Sequence, residues 1–197
     1  MTKLPKIVIL GHGRSGKDTV AEYMAEKYGF RFMSSSMFVA RSAIWPACDS
    51  APKPPLPAYA SFDEFYADRH NHRATWFKLI SDYNRDDPAR LGMELFAKHD
   101  LYVGLRSARE FHALRTRHAF DFVVWVDAGT RIKPEGADSC TVEPWMSDYV
   151  IDNAHTIQGM RRSVDALMSL FGVRVRITDA ERDTLRRIVH SFDGVGS

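Results

Sequence analysis

Nine residues close to the N-terminus, Gly11-His12-Gly13-Arg14-Ser15-Gly16-Lys17-Asp18-Thr19, have the types and spacing that bind phosphate. Glycine at 11, 13 and 16 permits backbone angles that a Cβ forbids, so successive N–H groups can turn inward around phosphate oxygens. Lys17 supplies a point charge, and a helix starting near Gly16 adds its orphan N–H donors and the positive end of its dipole. The stretch follows the pattern G-x-x-x-x-G-K-[ST] except at the last position, where Asp18 replaces the hydroxyl that normally meets Mg²⁺ and Thr19 comes next. Mg²⁺ prefers oxygen ligands and keeps several waters, so Asp18 can hold it directly or through water, or Thr19 can take the hydroxyl role. The predicted chemistry is the binding of ATP with Mg²⁺, residues 11 to 19 forming the cradle and Asp18 and Thr19 organising the metal. A plain strand-to-helix turn is the bland alternative, and Lys17 in register argues against it.

The loop needs a strand before it and a helix after it, and both are legible. Ile7-Val8-Ile9-Leu10 is an apolar run, and Val20, Met24 and Tyr28 recur at helical spacing up to a stop at Gly29. Phe30 to Met33 reads as a second strand, and Ser34-Ser35-Ser36 opens a helix through Ile44 that Pro46 ends. Prolines at 52, 54, 55 and 57 make residues 49 to 60 a loop. Capping-box patterns stand at Ser61 to Glu64, Ser107 to Glu110 and Thr178 to Glu181, and Asp87-Pro88 supplies a cap with a first-turn proline. Apolar runs at 101 to 105, 122 to 126 and 149 to 151 lie between the helices. Short buried strands alternating with helices predict an α/β fold with a parallel sheet covered on both faces.

The 197 residues, 45% of them hydrophobic, are enough for one domain over 1–197, with the proline-rich loop and a helical insertion at 48–99 inside it. A formal charge of +2 does not demand a nucleic-acid partner. Two cysteines, Cys48 and Cys140, form neither a disulfide framework nor a metal spacing, and a reducing compartment follows. With neither a signal-peptide core nor an apolar stretch that could span a bilayer, the expectation is a soluble protein of the cytoplasm, host cytoplasm if the source is viral, without a membrane partner. A homodimer is left open.

With the loop, the serine run and the strand ends in place, the chain resembles the P-loop nucleoside and deoxynucleoside monophosphate kinases, above all the bacteriophage type with a Gly-Lys-Asp-Thr loop. The resemblance is strongest over residues 6 to 28, and beyond them rests on Arg106 after the third strand and on Tyr149-Val150-Ile151-Asp152-Asn153. It implies a parallel sheet of about five strands with a helical acceptor-site insertion. It also implies Ser36, Arg41 and Arg106 on the acceptor, with Arg14, Lys17 and Arg106 around the transferring phosphoryl group. Two departures stand out. Tyr102-Val103-Gly104-Leu105-Arg106 lacks the aspartate that often precedes this arginine, and residues 128 to 147, where many relatives carry an arginine-rich lid, offer only Arg131 and Lys133.

The insertion brings His70-Asn71-His72-Arg73, Trp76-Phe77-Lys78 and Asp82-Tyr83-Asn84-Arg85 together at spacings of successive helix turns. Aromatic faces stack bases, and Asn or Asp can pair with base edges. Arg73, Trp76, Asp82 and Asn84 are therefore acceptor-site candidates, the alternative being that Trp76, Phe77 and Ile80 are core beneath a solvated polar face. His70 and His72 do not share a helix face, which argues against a metal pair. If the acceptor is a phosphate, no strong base is needed; if it is an alcohol, a carboxylate must take the proton, and Asp82 is the candidate. Three functions stay open: a kinase of a deoxynucleoside monophosphate, modified or not; a kinase of the 5-hydroxymethyl group of hydroxymethyluridine in phage DNA, which Arg161-Arg162, Arg174-Val175-Arg176 and Arg186-Arg187 favour; and a nucleotide-binding module without transfer activity.

Overall fold

A computed structural model describes residues 4–49, 54–133 and 140–174. Five strands, β1 (Ile7–Leu10), β2 (Phe32–Ser34), β3 (Leu101–Val103), β4 (Phe122–Asp127) and β5 (Tyr149–Asp152), pair in parallel in the order β2-β3-β1-β4-β5. Every residue of β1 is fully buried, which is why its apolar run has no polar alternation: both of its faces are covered. Ile7 and Ile9 point into one layer with Val20, Met24, Val164 and Leu167, while Val8 and Leu10 point into the other with Phe38, Leu91 and Phe111. Helices α1 (Lys17–Tyr28) and α8 (Ile157–Leu170) cover the first face. The second is covered by α2 (Ser35–Val39), α3 (Trp45–Ala47), α4 (Phe62–Ala67), α5 (Arg73–Tyr83), α6 (Arg90–Lys98) and α7 (Ala108–Thr116). The result is an α/β fold with five parallel strands and helices on both sides.

Local signals hold with small shifts. Gly29 ends α1 at φ 80°, its N–H on the Ala25 carbonyl, as the spacing implies. The second strand runs to Ser34, whose Oγ then caps α2 by accepting from Met37 N–H. Pro46 does not end the helix after Ile44. A π-helical turn, Ala40–Ile44, precedes α3, and Pro46 sits in the first turn of α3, where a missing N–H and a bulky ring are tolerated. Asp87 does not cap α6 directly either: its Oδ1 accepts from Ala89 N–H at 3.0 Å, and α6 begins at Arg90. In the capping box at Ser61 the cap forms and the return bond shifts by one residue, Ser61 Oγ accepting from Glu64 N–H and Glu64 Oε2 from Ala60 N–H rather than from the cap itself. At Ser107 only half of it forms, because Ser107 Oγ caps Glu110 N–H while the Glu110 carboxyl turns to Tyr102. The pattern at Thr178 and the arginines at 176, 186 and 187 lie outside the described residues.

Because the strands are parallel, their carboxyl ends share one edge, and the loops that leave it carry Gly11, Ser35, Gly104, Ala128 and Asn153. Connections from β1 go to one side of the sheet and β4 and β5 lie on the other, so the edge at β1 is where ligands bind in open α/β sheets. Among the described residues no helix is long and apolar enough to cross a membrane.

Candidate functional site

At that edge the loop of residues 11 to 19 joins β1 to α1. Gly11 has φ 138°, and a Cβ there would approach Ser15 Oγ and the Val126 carbonyl to 2.7 Å each. Gly16 has φ 92° and abuts the Asn153 side chain. The third left-handed residue of the loop is Arg14, at φ 65°, rather than Gly13. Lys17 is 8% exposed, and its ammonium donates to the carbonyls of Gly11 at 2.7 Å and His12 at 2.5 Å, which fixes the charge inside the curve of the loop. Ser15 Oγ is buried with no hydrogen-bond partner among the described residues. An orphaned hydroxyl, a confined ammonium and the start of a twelve-residue helix together fit a bound triphosphate. Asp18 and Thr19 are both exposed in the first turn of α1 and offer the oxygens that Mg²⁺ would take, supplying charge neutralisation to the phosphates. Asp127, exposed at the end of β4 beside β1, is a further oxygen donor that the sequence reading passed over.

The turn after β5 is tied to this loop. Asn153 Nδ2 donates to the Ser15 carbonyl at 2.8 Å, and Arg131 holds the Asn153 carbonyl through Nε at 3.1 Å and Nη2 at 2.5 Å. Arg131, read from the sequence as a remnant of a lid, is thus a brace between the β4 and β5 ends.

One strand away lies a cavity of about 310 Å³. Its floor is the end of β3, joined to β1 by Gly104 N–H on the Ile9 carbonyl at 3.4 Å, and its walls include Phe77, Asp82, Asn84, Arg106, Glu110 and Thr141. Of the predicted acceptor residues, Asp82, Asn84 and Arg106 therefore come together.

Others do not. Trp76 is 5% exposed and packs against Phe65 and Tyr66 with ring centroids 5.1 and 6.0 Å apart, so its faces are spent in the core; Phe77, 56% exposed, is the aromatic of α5 that lines the cavity. Arg41 lies over the Phe62 ring at 4.8 Å with Nε on Met37 Sδ, and Ser36 Oγ is 2.9 Å from Tyr66 Oη. Neither lines the cavity. Arg73 does not line the cavity either; it lies beside His70, whose imidazole is held below its usual range by the charge of Arg69, then burial, then the charges of Arg73 and Arg14.

Asp82, the base expected from the sequence, is engaged by two cations. Lys78 Nζ donates to Oδ2 at 2.7 Å and Arg85 Nη2 to Oδ1, and these hydrogen bonds hold the carboxyl below the usual carboxylate range. The poised carboxyl is Glu110, 6% exposed, which takes a hydrogen bond from the Tyr102 hydroxyl at 2.6 Å and another from Asn84. Burial outweighs both donors and pushes it up to about 7. Its one signal in the sequence was the last place of a capping box, which concealed it.

No protein-family model and no curated protein matches the chain. Among solved structures it is similar to a sugar kinase from Janibacter sp. HTCC2649, at 12% identity over 87% of this chain and 96% of that one, TM-score 0.45. It is also similar to the shikimate kinase from Bacteroides thetaiotaomicron, at 12% over 86% and 99%, TM-score 0.45, and to a gluconokinase from Sinorhizobium meliloti 1021, at 14% over 85% and 95%, TM-score 0.43. The fold class rests on the sheet order and the phosphate loop, independently of these likenesses.

Proposed function

We propose that this chain is an ATP-dependent kinase, a phosphotransferase that uses Mg²⁺ and moves the γ-phosphoryl group to a nucleotide-type acceptor seated in the cavity beyond β3. The observation that carries the reading is the adjacency of two sites on one sheet edge: a phosphate loop with a confined lysine on β1, and on the neighbouring strand a cavity walled by a cation, an amide and an exposed aromatic. Phosphoryl transfer is mostly positioning and charge stabilisation, and this pair of sites supplies both. Lys17 and Arg14 serve the triphosphate, Arg106 faces the acceptor and Phe77 offers a stacking face.

Two acceptors fit. One is a phosphate oxygen of a deoxynucleoside monophosphate, gripped by Arg106. The other is the 5-hydroxymethyl group of hydroxymethyluridine in DNA, favoured by the scarcity of cations in the lid: among the described residues of 128 to 147 the basic side chains are Arg131, already engaged with Asn153, and Lys133. Incubation with γ-labelled ATP, Mg²⁺ and either a panel of deoxynucleotides or hydroxymethyluridine-containing duplex tests the reading. Label on an acceptor is the expected result; nucleotide binding without transfer to any member of the panel would leave a non-catalytic module.

A further inference from the structure

Glu110 stands apart from every other carboxylate of the described chain. Most of those are exposed or ion-paired: Asp82 with Lys78 and Arg85, Asp87 with Arg117, Asp100 with Lys6 and Arg31. Glu110 has no cationic partner in a salt bridge, is buried, and yet lines the cavity. Two neighbouring donors hold it. The Tyr102 hydroxyl donates to Oε1 at 2.6 Å, and the Asn84 side chain, whose Oδ1 accepts from Leu91 N–H at 3.0 Å, donates as well. Tyr102 is in turn placed by β3, the strand that ends beside β1 and its phosphate loop. Such a carboxyl costs stability when ionised, and packing alone would be served better by an apolar side chain.

We infer that Glu110 is the general base of the reaction and that the acceptor in this cavity is therefore a hydroxyl group rather than a phosphate. The inference rests on the kinase reading above. In the step it describes, a carboxylate oxygen of Glu110 takes the proton of the acceptor hydroxyl as that oxygen forms its bond to the γ-phosphorus. The bond from phosphorus to the bridging oxygen breaks, its electron pair leaves with ADP, and Glu110 later returns the proton to solvent. Tyr102 and Asn84 are positioning residues, orienting the carboxylate without blocking its remaining lone pairs. The other charged or titratable groups around the cavity are Asp82, Arg85, Arg106, Arg109 and Cys140, with Tyr102 raised well above its ordinary value and so protonated throughout the working range.

The test measures transfer from γ-labelled ATP to a hydroxymethyluridine-containing duplex and to free 5-hydroxymethyldeoxyuridine, with dTMP and dUMP as phosphate acceptors, across pH 5.5 to 9. Wild type is expected to label a hydroxyl, with kcat/KM rising through about pH 7 to a plateau. Glu110→Gln keeps an oxygen for Tyr102, and should lose 100-fold or more in kcat and flatten the pH profile while the KM for ATP stays the same. Tyr102→Phe removes a donor that lowers the Glu110 pKa, so its rising limb should move to higher pH; this variant carries the test even if Glu110→Gln fails to fold. Transfer by wild type to phosphate acceptors alone overturns the inference and leaves the kinase reading standing, as does a folded Glu110→Gln protein with unchanged rate and profile. A Tyr102→Phe limb that stays in place overturns it too. No transfer to any acceptor by wild type overturns the kinase reading itself.

Discussion

The side-chain amide of Asn153, in the turn after β5, donates to the backbone carbonyl of Ser15 in the phosphate loop across 138 positions of sequence. The same side chain closes the space over Gly16, so loop and turn hold one another. Removing a hydrogen bond of this kind typically costs about 1 kcal/mol. Asn153→Ala is therefore expected to weaken binding of a non-hydrolysable ATP analogue roughly 5- to 10-fold, read by calorimetry, with acceptor KM unchanged. An unaltered ATP affinity would show that the loop keeps its shape without the brace.

Lys17 sits inside the curve of the loop and contacts carbonyls rather than core, so Lys17→Ala should fold normally and lose transfer. A charge-assisted contact to the transferring group is worth on the order of 3 kcal/mol, about a hundredfold in rate. Thermal unfolding and turnover, measured on the same sample, check both halves. Asp18→Asn should raise the Mg²⁺ concentration needed for half-maximal rate, since an amide oxygen binds the ion less well than a carboxylate. A Mg²⁺ dependence identical to wild type would move the metal to another donor, with Asp127 the first to try.

Neighbouring aromatics on α5 should behave oppositely. Trp76 is packed in the core, and Trp76→Ala is expected to cost ~3–5 kcal/mol of stability by chemical denaturation. Phe77→Ala, at an exposed position lining the cavity, should leave the unfolding midpoint nearly unmoved and raise acceptor KM about 5- to 100-fold if a base stacks there. Acceptor kinetics that respond to Trp76→Ala and ignore Phe77→Ala, in proteins of wild-type fold, would reverse the assignment.

The buried carboxyl also has a signature in stability. Its ordinary value is 4.5 and its folded value about 7, so below pH 4.5 it is protonated in both states and contributes its full stability. Between the two values the unfolded chain releases the proton and the folded protein keeps it, and stability falls as pH rises; above 7 the whole penalty, about 3 kcal/mol, is present. Glu110→Gln does not titrate. The difference in Tm between this variant and wild type should thus grow from pH 4.5 to 7 in the variant's favour and then level off. A difference independent of pH would mean that Glu110 ionises in the fold as freely as in water.

What the chain determines by itself is the phosphate loop, the triphosphate half of the proposed site. Glycines, lysine, apolar strand and capped helix act over fewer than twenty-five consecutive residues, where backbone sterics and helix-end donors settle the outcome locally, and α1 and its Gly29 stop come out as the spacing implies. The acceptor half was decided by tertiary packing. Whether Trp76 or Phe77 faces the cavity depends on how α5 is rotated against Phe65 and Tyr66. Asp82 and Glu110 are both carboxylates beside polar and aromatic neighbours in sequence. One is paired with Lys78 and Arg85 and becomes a weak base; the other is sealed against Tyr102 by α7 and becomes a poised one. Burial and charge partners set a carboxyl's proton affinity, and both come from residues that only the folded sheet brings near.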